Sequence, residues 1–262
     1  MTARLILALI LLLRAAPGQD AASDRELWEP FAKWVEALRP LPPGEHKSLA
    51  DAYKQSLTNM GVGNEEAQSR WQRINQMSGA SIERSTTYWN GTFKLGGGPS
   101  EPLRLLQEAI YKRKPGRALD AGMGRGRNAI YLASLGWAVT GYDIARDALA
   151  VAQSYAKQSG VNITTIEAEH ATFDFGASQW DLILCSYNGI GIADPKWPPI
   201  FSRALKSGGI AVKSFQLAMI ASGWISPKVL VRYENLDPGV IDNDWTPSLT
   251  RRTFRLVVRK KN

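Results

Sequence analysis

The chain has 262 residues, 44% of them hydrophobic, with a formal net charge of +8. That length and apolar share suit one large α/β domain with a packed core and exclude a disordered or collagen-like chain. Cys185 is the only cysteine, so an intramolecular disulfide and a cysteine-based zinc site are excluded; two histidines argue against a His-rich centre, and no metal is expected.

Arg4, the apolar run Leu5–Leu13 and the small residues after Arg14 read as an export signal over residues 1–22. Removal up to about Gly18 would lower the formal charge to +6. The run is too short to span a bilayer, and no later segment is long and apolar enough, so no integral span is expected after removal. A working signal makes the chain periplasmic or secreted; without it the chain is cytoplasmic.

Residues 23–99 read as a helical cap and lid, and residues 100–262 as the core. Trp28, Phe31, Trp34, Val35 and Leu38 recur at helical spacing until Pro40, Pro42 and Pro43. A second helix is expected from Ser48 to Met60. A third, capped by Asn64, carries Trp71, Ile74 and Met77. Tyr88–Pro99 reads as a loop that Gly96, Gly97 and Gly98 make either mobile or tightly turned. Asn90-Gly-Thr92 within it fits a glycosylation sequon. Ser100 then caps a helix with Leu103, Leu106 and Ile110 on its buried side.

From Arg117 strands and helices alternate. Strands are expected at Ala118–Asp120, Ala138–Tyr142, Ile163–Glu167, Trp180–Cys185, Ile210–Phe215, Val229–Tyr233 and Thr253–Arg259. Helices are expected at Arg127–Leu135, Asp147–Gln158 and Pro199–Leu205, and Glu234–Leu249 reads as a loop. This predicts a three-layer αβα, Rossmann-like fold: a seven-stranded, mostly parallel sheet with one antiparallel edge strand. The basic stretch Arg251–Lys261 reads as a final strand and charged chain end rather than a nucleic-acid reader.

Gly122, Gly124 and Gly126 follow the first strand and precede a helix. They permit a tight turn and let a ligand touch backbone at the carboxyl edge of the sheet. Asp143 ends the second strand, where a carboxylate can accept both hydroxyls of a ribose. A dinucleotide fingerprint needs a glycine where Arg127 stands. Asp120, just before the turn, would repel a pyrophosphate but suits an ammonium and a sulfonium. The residues therefore favour S-adenosylmethionine over a dinucleotide.

Leu119–Leu132, followed by Gly136–Asp143, resembles motif I and its sequel in class I S-adenosylmethionine-dependent methyltransferases. The similarity is greatest to the small-molecule group that includes tellurite-resistance and thiopurine methyltransferases. The resemblance implies that Asp120 orients the methionine amino group, that Gly122 and Gly124 pass under the methionine moiety, and that Asp143 holds the ribose. It implies that Ile144 packs on adenine and that Glu169 and His170 meet the adenine edge. Met123, Arg127, Asn128 and Cys185 are placed with the cofactor contacts, although the apolar strand around Cys185 also points to inert burial. Met123 departs from the usual cysteine or small residue.

Tyr187 and Asn188 follow the fourth strand and are the catalytic or positioning candidates. Tyr88 and Trp89 are candidates for a substrate lid, and Phe215 and Trp224 for a substrate wall. No general base stands out, which favours a polarizable or anionic acceptor. The reading is methyl transfer to a small molecule, leaving S-adenosylhomocysteine, with no specific nucleic-acid partner, in a monomer or dimer. A macromolecule methyltransferase and a non-catalytic cofactor-binding module are the alternatives, and a nicotinamide oxidoreductase is a distant one.

Overall fold

The computed structural model describes residues 17–42, 44–98, 100–186, 190, 196–216, 236–244 and 253–260. Residues 17–22, 214–216, 236–244, 253–256 and 258 are described by their backbone alone. The apolar run Leu5–Leu13 and the expected strand Val229–Tyr233 lie outside the described residues.

Four helices form the N-terminal extension: α1 (Pro17–Ala37), α2 (Leu49–Asn59), α3 (Asn64–Met77) and α4 (Ile82–Lys94). The core follows as α5 (Arg104–Ile110), β1 (Arg117–Ala121), α6 (Arg127–Ser134), β2 (Ala138–Asp143), α7 (Arg146–Gln158), β3 (Thr164–Glu167), β4 (Trp180–Ser186), α8 (Trp197–Ala204), β5 (Leu205–Gln216), β6 (Leu236–Asp244) and β7 (Thr253–Lys260).

The strands pair in the order β3-β2-β1-β4-β5-β7-β6. Pairing is parallel from β3 through β5, while β7 runs antiparallel to both β5 and β6. The antiparallel strand is therefore not at the edge, as the sequence suggested, but inserted one place inside it. The edge strand β6 falls in Glu234–Leu249, which had read as a loop. Asp237, Pro238 and Gly239 carry turn chemistry, yet β7 supplies a partner, and the register shift between Pro238 and Ile241 absorbs the irregularity.

Two apolar clusters flank the sheet. One packs α5, α6 and α7 against residues such as Ala118, Val139, Leu182, Leu184 and Val212. The other packs α8 against Leu119, Ala121, Tyr142, Ile183 and Cys185. Alternate residues of one strand thus serve opposite faces, as a sheet covered on both sides requires. The helical extension has a third cluster of its own, built on Phe31, Tyr53, Trp71 and Ile74.

Three local expectations change. Tyr88–Lys94 is helical, inside α4, because Ser81 caps that helix through its hydroxyl and the Arg84 N–H. Gly91 is the close point: a Cβ there would come within 2.9 Å of Leu49 and 3.0 Å of Val35. The residue before α3 is Gly63, so Asn64 is its first residue rather than its cap. Likewise α5 begins after Leu103, not Ser100. Ser48, expected as the first residue of the second helix, is its cap instead, its hydroxyl accepting from the Asp51 N–H at 3.4 Å.

Candidate functional site

The turn after β1 is shaped by its glycines. Gly122, Gly124 and Gly126 all have positive φ, at 68°, 52° and 80°, where side-chain-bearing residues are strained. The Gly122 and Met123 N–H groups both donate to the Tyr142 carbonyl at the end of β2, so the turn is tied to that strand. Gly126 then leads into α6, whose first turn supplies the Ala129 N–H to the Asp120 carboxyl.

Asp120 and Asp143 flank this turn. Asp143 is 7% exposed. Its Oδ2 accepts from the Gly124 N–H at 2.8 Å and its Oδ1 from the Ala145 N–H at 2.9 Å. Burial raises its pKa, and the N–H groups of Ala145, Gly124 and Ile144 oppose the rise. A carboxylate offers about four acceptor positions, so the two oxygens keep capacity for a pair of hydroxyls.

Asp120 is 1% exposed, and among the described residues its Oδ2 has no hydrogen-bond partner. Burial pushes its carboxyl up to about 7; Arg127 and the Ala129 N–H pull down, while the Asp143 charge pushes further up. A buried acceptor left unmet costs free energy that a cationic donor would recover.

The other cofactor candidates divide. Arg127 donates to the Glu101 carbonyl at 2.6 Å and to the Ser186 hydroxyl at 3.2 Å, clamping the end of β4 to the segment before α5. Asn128 is buried, and its Oδ1 accepts from the Leu103 N–H at 2.8 Å. Both hold the scaffold around the turn. Met123 turns its side chain into the core, in the space above Gly141, where a Cβ would lie 2.2 Å from its sulfur. The absent Cβ at Gly141 is what accommodates the methionine. Cys185 is likewise buried in the α8-side cluster. Ile144 and Glu169 are half-buried just beyond β2 and β3.

His170 is half-buried in an aromatic group. Its Nδ1 is 2.8 Å from the Tyr142 hydroxyl, and its ring meets Trp197 edge-on. Burial, with Lys213 and Lys196 nearby, holds its pKa down at about 4, so the ring is neutral near pH 7.

Tyr88 belongs to the cap's own core, stacked on Trp71 and hydrogen-bonded to Asn75. Trp89 is 40% exposed and stacks on Phe93. Tyr187, Asn188 and Trp224 lie outside the described residues; Phe215 is described by backbone alone, pairing with Phe254 in β7.

Two residues had no sequence signal. Phe93 of α4 lies over the glycine turn: a Cβ on Gly124 would come within 3.0 Å of its ring. Lys213 of β5 is 5% exposed, with its ammonium donating to the Ile190 carbonyl. Burial pushes that ammonium down to about 8. Among the described residues no cluster of three or more His, Cys, Asp or Glu is placed to hold a metal, and no helix is long and apolar enough to cross a membrane.

A family model described as a methyltransferase domain matches residues 118–209, the stretch from β1 into β5. No curated protein matches the chain. Among solved structures, the N-methyltransferase NodS from Bradyrhizobium japonicum superposes with a TM-score of 0.52 at 17% identity, over 61% of this chain and 93% of NodS. A TehB-like S-adenosylmethionine-dependent methyltransferase from Corynebacterium glutamicum gives 0.49 at 22% identity, over 70% and 99%. TehB from Haemophilus influenzae gives 0.47 at 17%, over 60% and 61%. The core has the class I S-adenosylmethionine-dependent methyltransferase fold.

Proposed function

We propose that this chain binds S-adenosylmethionine and transfers its methyl group to a small-molecule acceptor, releasing S-adenosylhomocysteine. The observation that carries the reading is the Asp120 Oδ2, fully buried, without a hydrogen-bond partner among the described residues, and set beside the Asp143 cradle. A ligand with an ammonium at one end and vicinal hydroxyls at the other meets both carboxylates. A diphosphate would meet two like charges instead.

When bound, the cofactor supplies a methyl group made electrophilic by a sulfonium. The chain's part is to orient and to exclude water. Asp120 accepts from the amino group, Asp143 from the ribose hydroxyls, and the glycine turn brings backbone within reach. Arg127 and Asn128 hold the turn's flanks. In this reading Ile144 and Glu169 serve the adenine, Tyr187 and Asn188 the acceptor, and Phe215 and Trp224 its wall. Alignment of this kind supplies on the order of 7 kcal/mol when the geometry is ideal.

His170 is a weak base, its pKa held down at about 4 by burial, and its Nδ1 is engaged with the Tyr142 hydroxyl, which makes it a poor proton acceptor for the reaction. A thiol, a chalcogen oxyanion or another polarizable nucleophile needs little help from a base. The acceptor class follows from that chemistry. Ser186-Tyr-Asn-Gly189 after β4 carries no base-methylation motif of the Asn-Pro-Pro-Tyr type. The basic chain end enters the sheet as β7, its Lys260 ammonium donating to the Leu205 carbonyl.

Calorimetric titration with S-adenosylmethionine, S-adenosylhomocysteine and NAD tests the reading. Binding of the two adenosyl ligands but not NAD is expected, followed by turnover in a screen that begins with thiols and chalcogen oxyanions. NAD binding, or no binding of either adenosyl ligand, overturns it; binding without turnover leaves a non-catalytic module. Export through residues 1–22 is part of the proposal, and the intact mass of the protein from its own host decides it.

A further inference from the structure

Among the described residues, a short stretch of α4 joins the helical extension to the cofactor half of the core. The Asn90 Oδ1 accepts from the Asp147 N–H at 3.3 Å. The Lys94 ammonium lies 3.3 Å from the Asp147 carboxylate and also donates to the Val35 and Glu36 carbonyls at 3.2 Å. Phe93, between them in sequence, covers Gly124.

These contacts meet the start of α7, and the residue at that helix's cap position is Ala145, which supplies no side-chain cap. Asn90 supplies the missing cap from another part of the fold. The sequon asparagine is thereby committed to a contact between cap and core. The N–H groups of Ile144 and Ala145, immediately before α7, are the ones that hold the Asp143 carboxylate. Cap docking, the first turn of α7 and the ribose acid therefore form one connected unit.

The extension is packed on its own core. Gly96 and Gly97 are buried and tight: a Cβ on Gly96 would lie 2.1 Å from the Glu45 carbonyl oxygen, and one on Gly97 2.6 Å from Thr92. The segment beyond Gly98 is fastened to the core instead, by Arg127 at Glu101 and Asn128 at Leu103.

We propose that the extension is a lid latched by Asn90 and Lys94 onto Asp147, that Phe93 is its cofactor-contacting residue, and that closing it orders Asp143 for the ribose. This rests on the proposed cofactor reading, which it deepens. Ligand enters and leaves when the latch opens, with Phe93 lifting off the glycine turn.

Two measurements on the full chain test it. In hydrogen exchange without ligand, Asn90→Ala and Lys94→Ala should speed exchange at Gly122–Gly126 and Asp143–Leu149 by about fivefold, the size of a lost helix cap, with the β4 amides unchanged. Unchanged exchange at both segments overturns the latch. In stopped-flow binding of S-adenosylhomocysteine, the same variants and Phe93→Ala should raise the dissociation rate severalfold. Unchanged rates overturn the lid even if affinity is normal. Faster exchange in variants of a protein that binds neither adenosyl ligand keeps the latch and removes the cofactor reading.

Discussion

The two faces of the sheet both bury ionisable groups, but they treat them differently. Toward α6 and α7 lie Asp120 and Asp143, where one carboxyl oxygen has no partner among the described residues. Toward α8 lie Tyr142, His170, Cys185 and Lys213, which answer one another or the backbone: Tyr142 with His170, Lys213 with the Ile190 carbonyl. Cys185 and Lys213 are register partners on neighbouring strands, so they share that face. Perturbed ionisation alone would mark both sets as functional, since Asp120, His170 and Lys213 are all strongly shifted. Satisfaction separates Asp120 from His170 and Lys213. A buried group whose acceptor is left open is prepared for a ligand, whereas a group already paired supports the fold.

The comparison breaks most sharply at Asp143. Asp143→Ala removes two charge-assisted acceptors from the ribose position, an expected loss of about 3 kcal/mol, or roughly a hundredfold in S-adenosylmethionine affinity. Calorimetry with a matched circular dichroism spectrum checks it. Asp120→Asn should weaken the same ligand about tenfold, the size of one charged hydrogen bond. It should also remove a pH dependence. The Asp120 carboxyl holds its proton up to about 7 in the folded chain but releases it near 3.8 when unfolded. An ammonium ligand favours the ionised form, so affinity should rise with pH toward 7 and level off above it. Ligand-free stability should run the opposite way, falling between about pH 4 and 7, because the folded state binds the extra proton. A variant with the wild-type pH slope would mean that Asp120 does not face the ligand's cation.

The glycine turn and its two carboxylates were legible in the sequence, and some of what packs around the sheet was not. Asp120, the three glycines and Asp143 belong to one strand-turn-helix-strand passage, so local spacing places them together. The same locality gave the parallel strands and the helices between them. Lys213 and Phe93 carry no comparable signal. A lysine in an apolar strand reads as a solvated side chain until its neighbours are known, and Phe93 reaches the turn only because a distant helix packs there. β6 was missed for a similar reason: turn residues at Asp237–Gly239 outweighed a pairing that only β7 could reveal. Tyr88 and Trp89 were read as a lid pair from adjacency, but helical geometry sends Tyr88 into the cap and leaves Trp89 at the surface.

On the α8 face the expected effects are on stability, and they sharpen the contrast by leaving affinity alone. Lys213→Met should change cofactor affinity by less than about twofold, since burial of a matched apolar chain replaces a buried cation at little net cost. The folded Lys213 ammonium loses its proton near 8 and the unfolded one near 10.5. The unfolded chain therefore binds more protons between those values, and wild-type stability should rise with pH across that window. The slope should vanish in Lys213→Met, and a loss of binding there would move Lys213 into the site.

The smallest effect belongs to His170 and Tyr142. His170→Phe should cost about 1 kcal/mol of stability, because it leaves the Tyr142 hydroxyl without its ring partner. The folded histidine stays neutral down to about 4, against 6.5 when unfolded, so its contribution is complete above 6.5 and is lost as pH falls toward 4. His170→Phe should flatten that acid limb. Combining it with Tyr142→Phe should cost little more than either change alone, since the second removes a partner already lost. Additive losses in urea melts would mean that the two side chains act separately, and His170 would then be free to serve the cofactor edge.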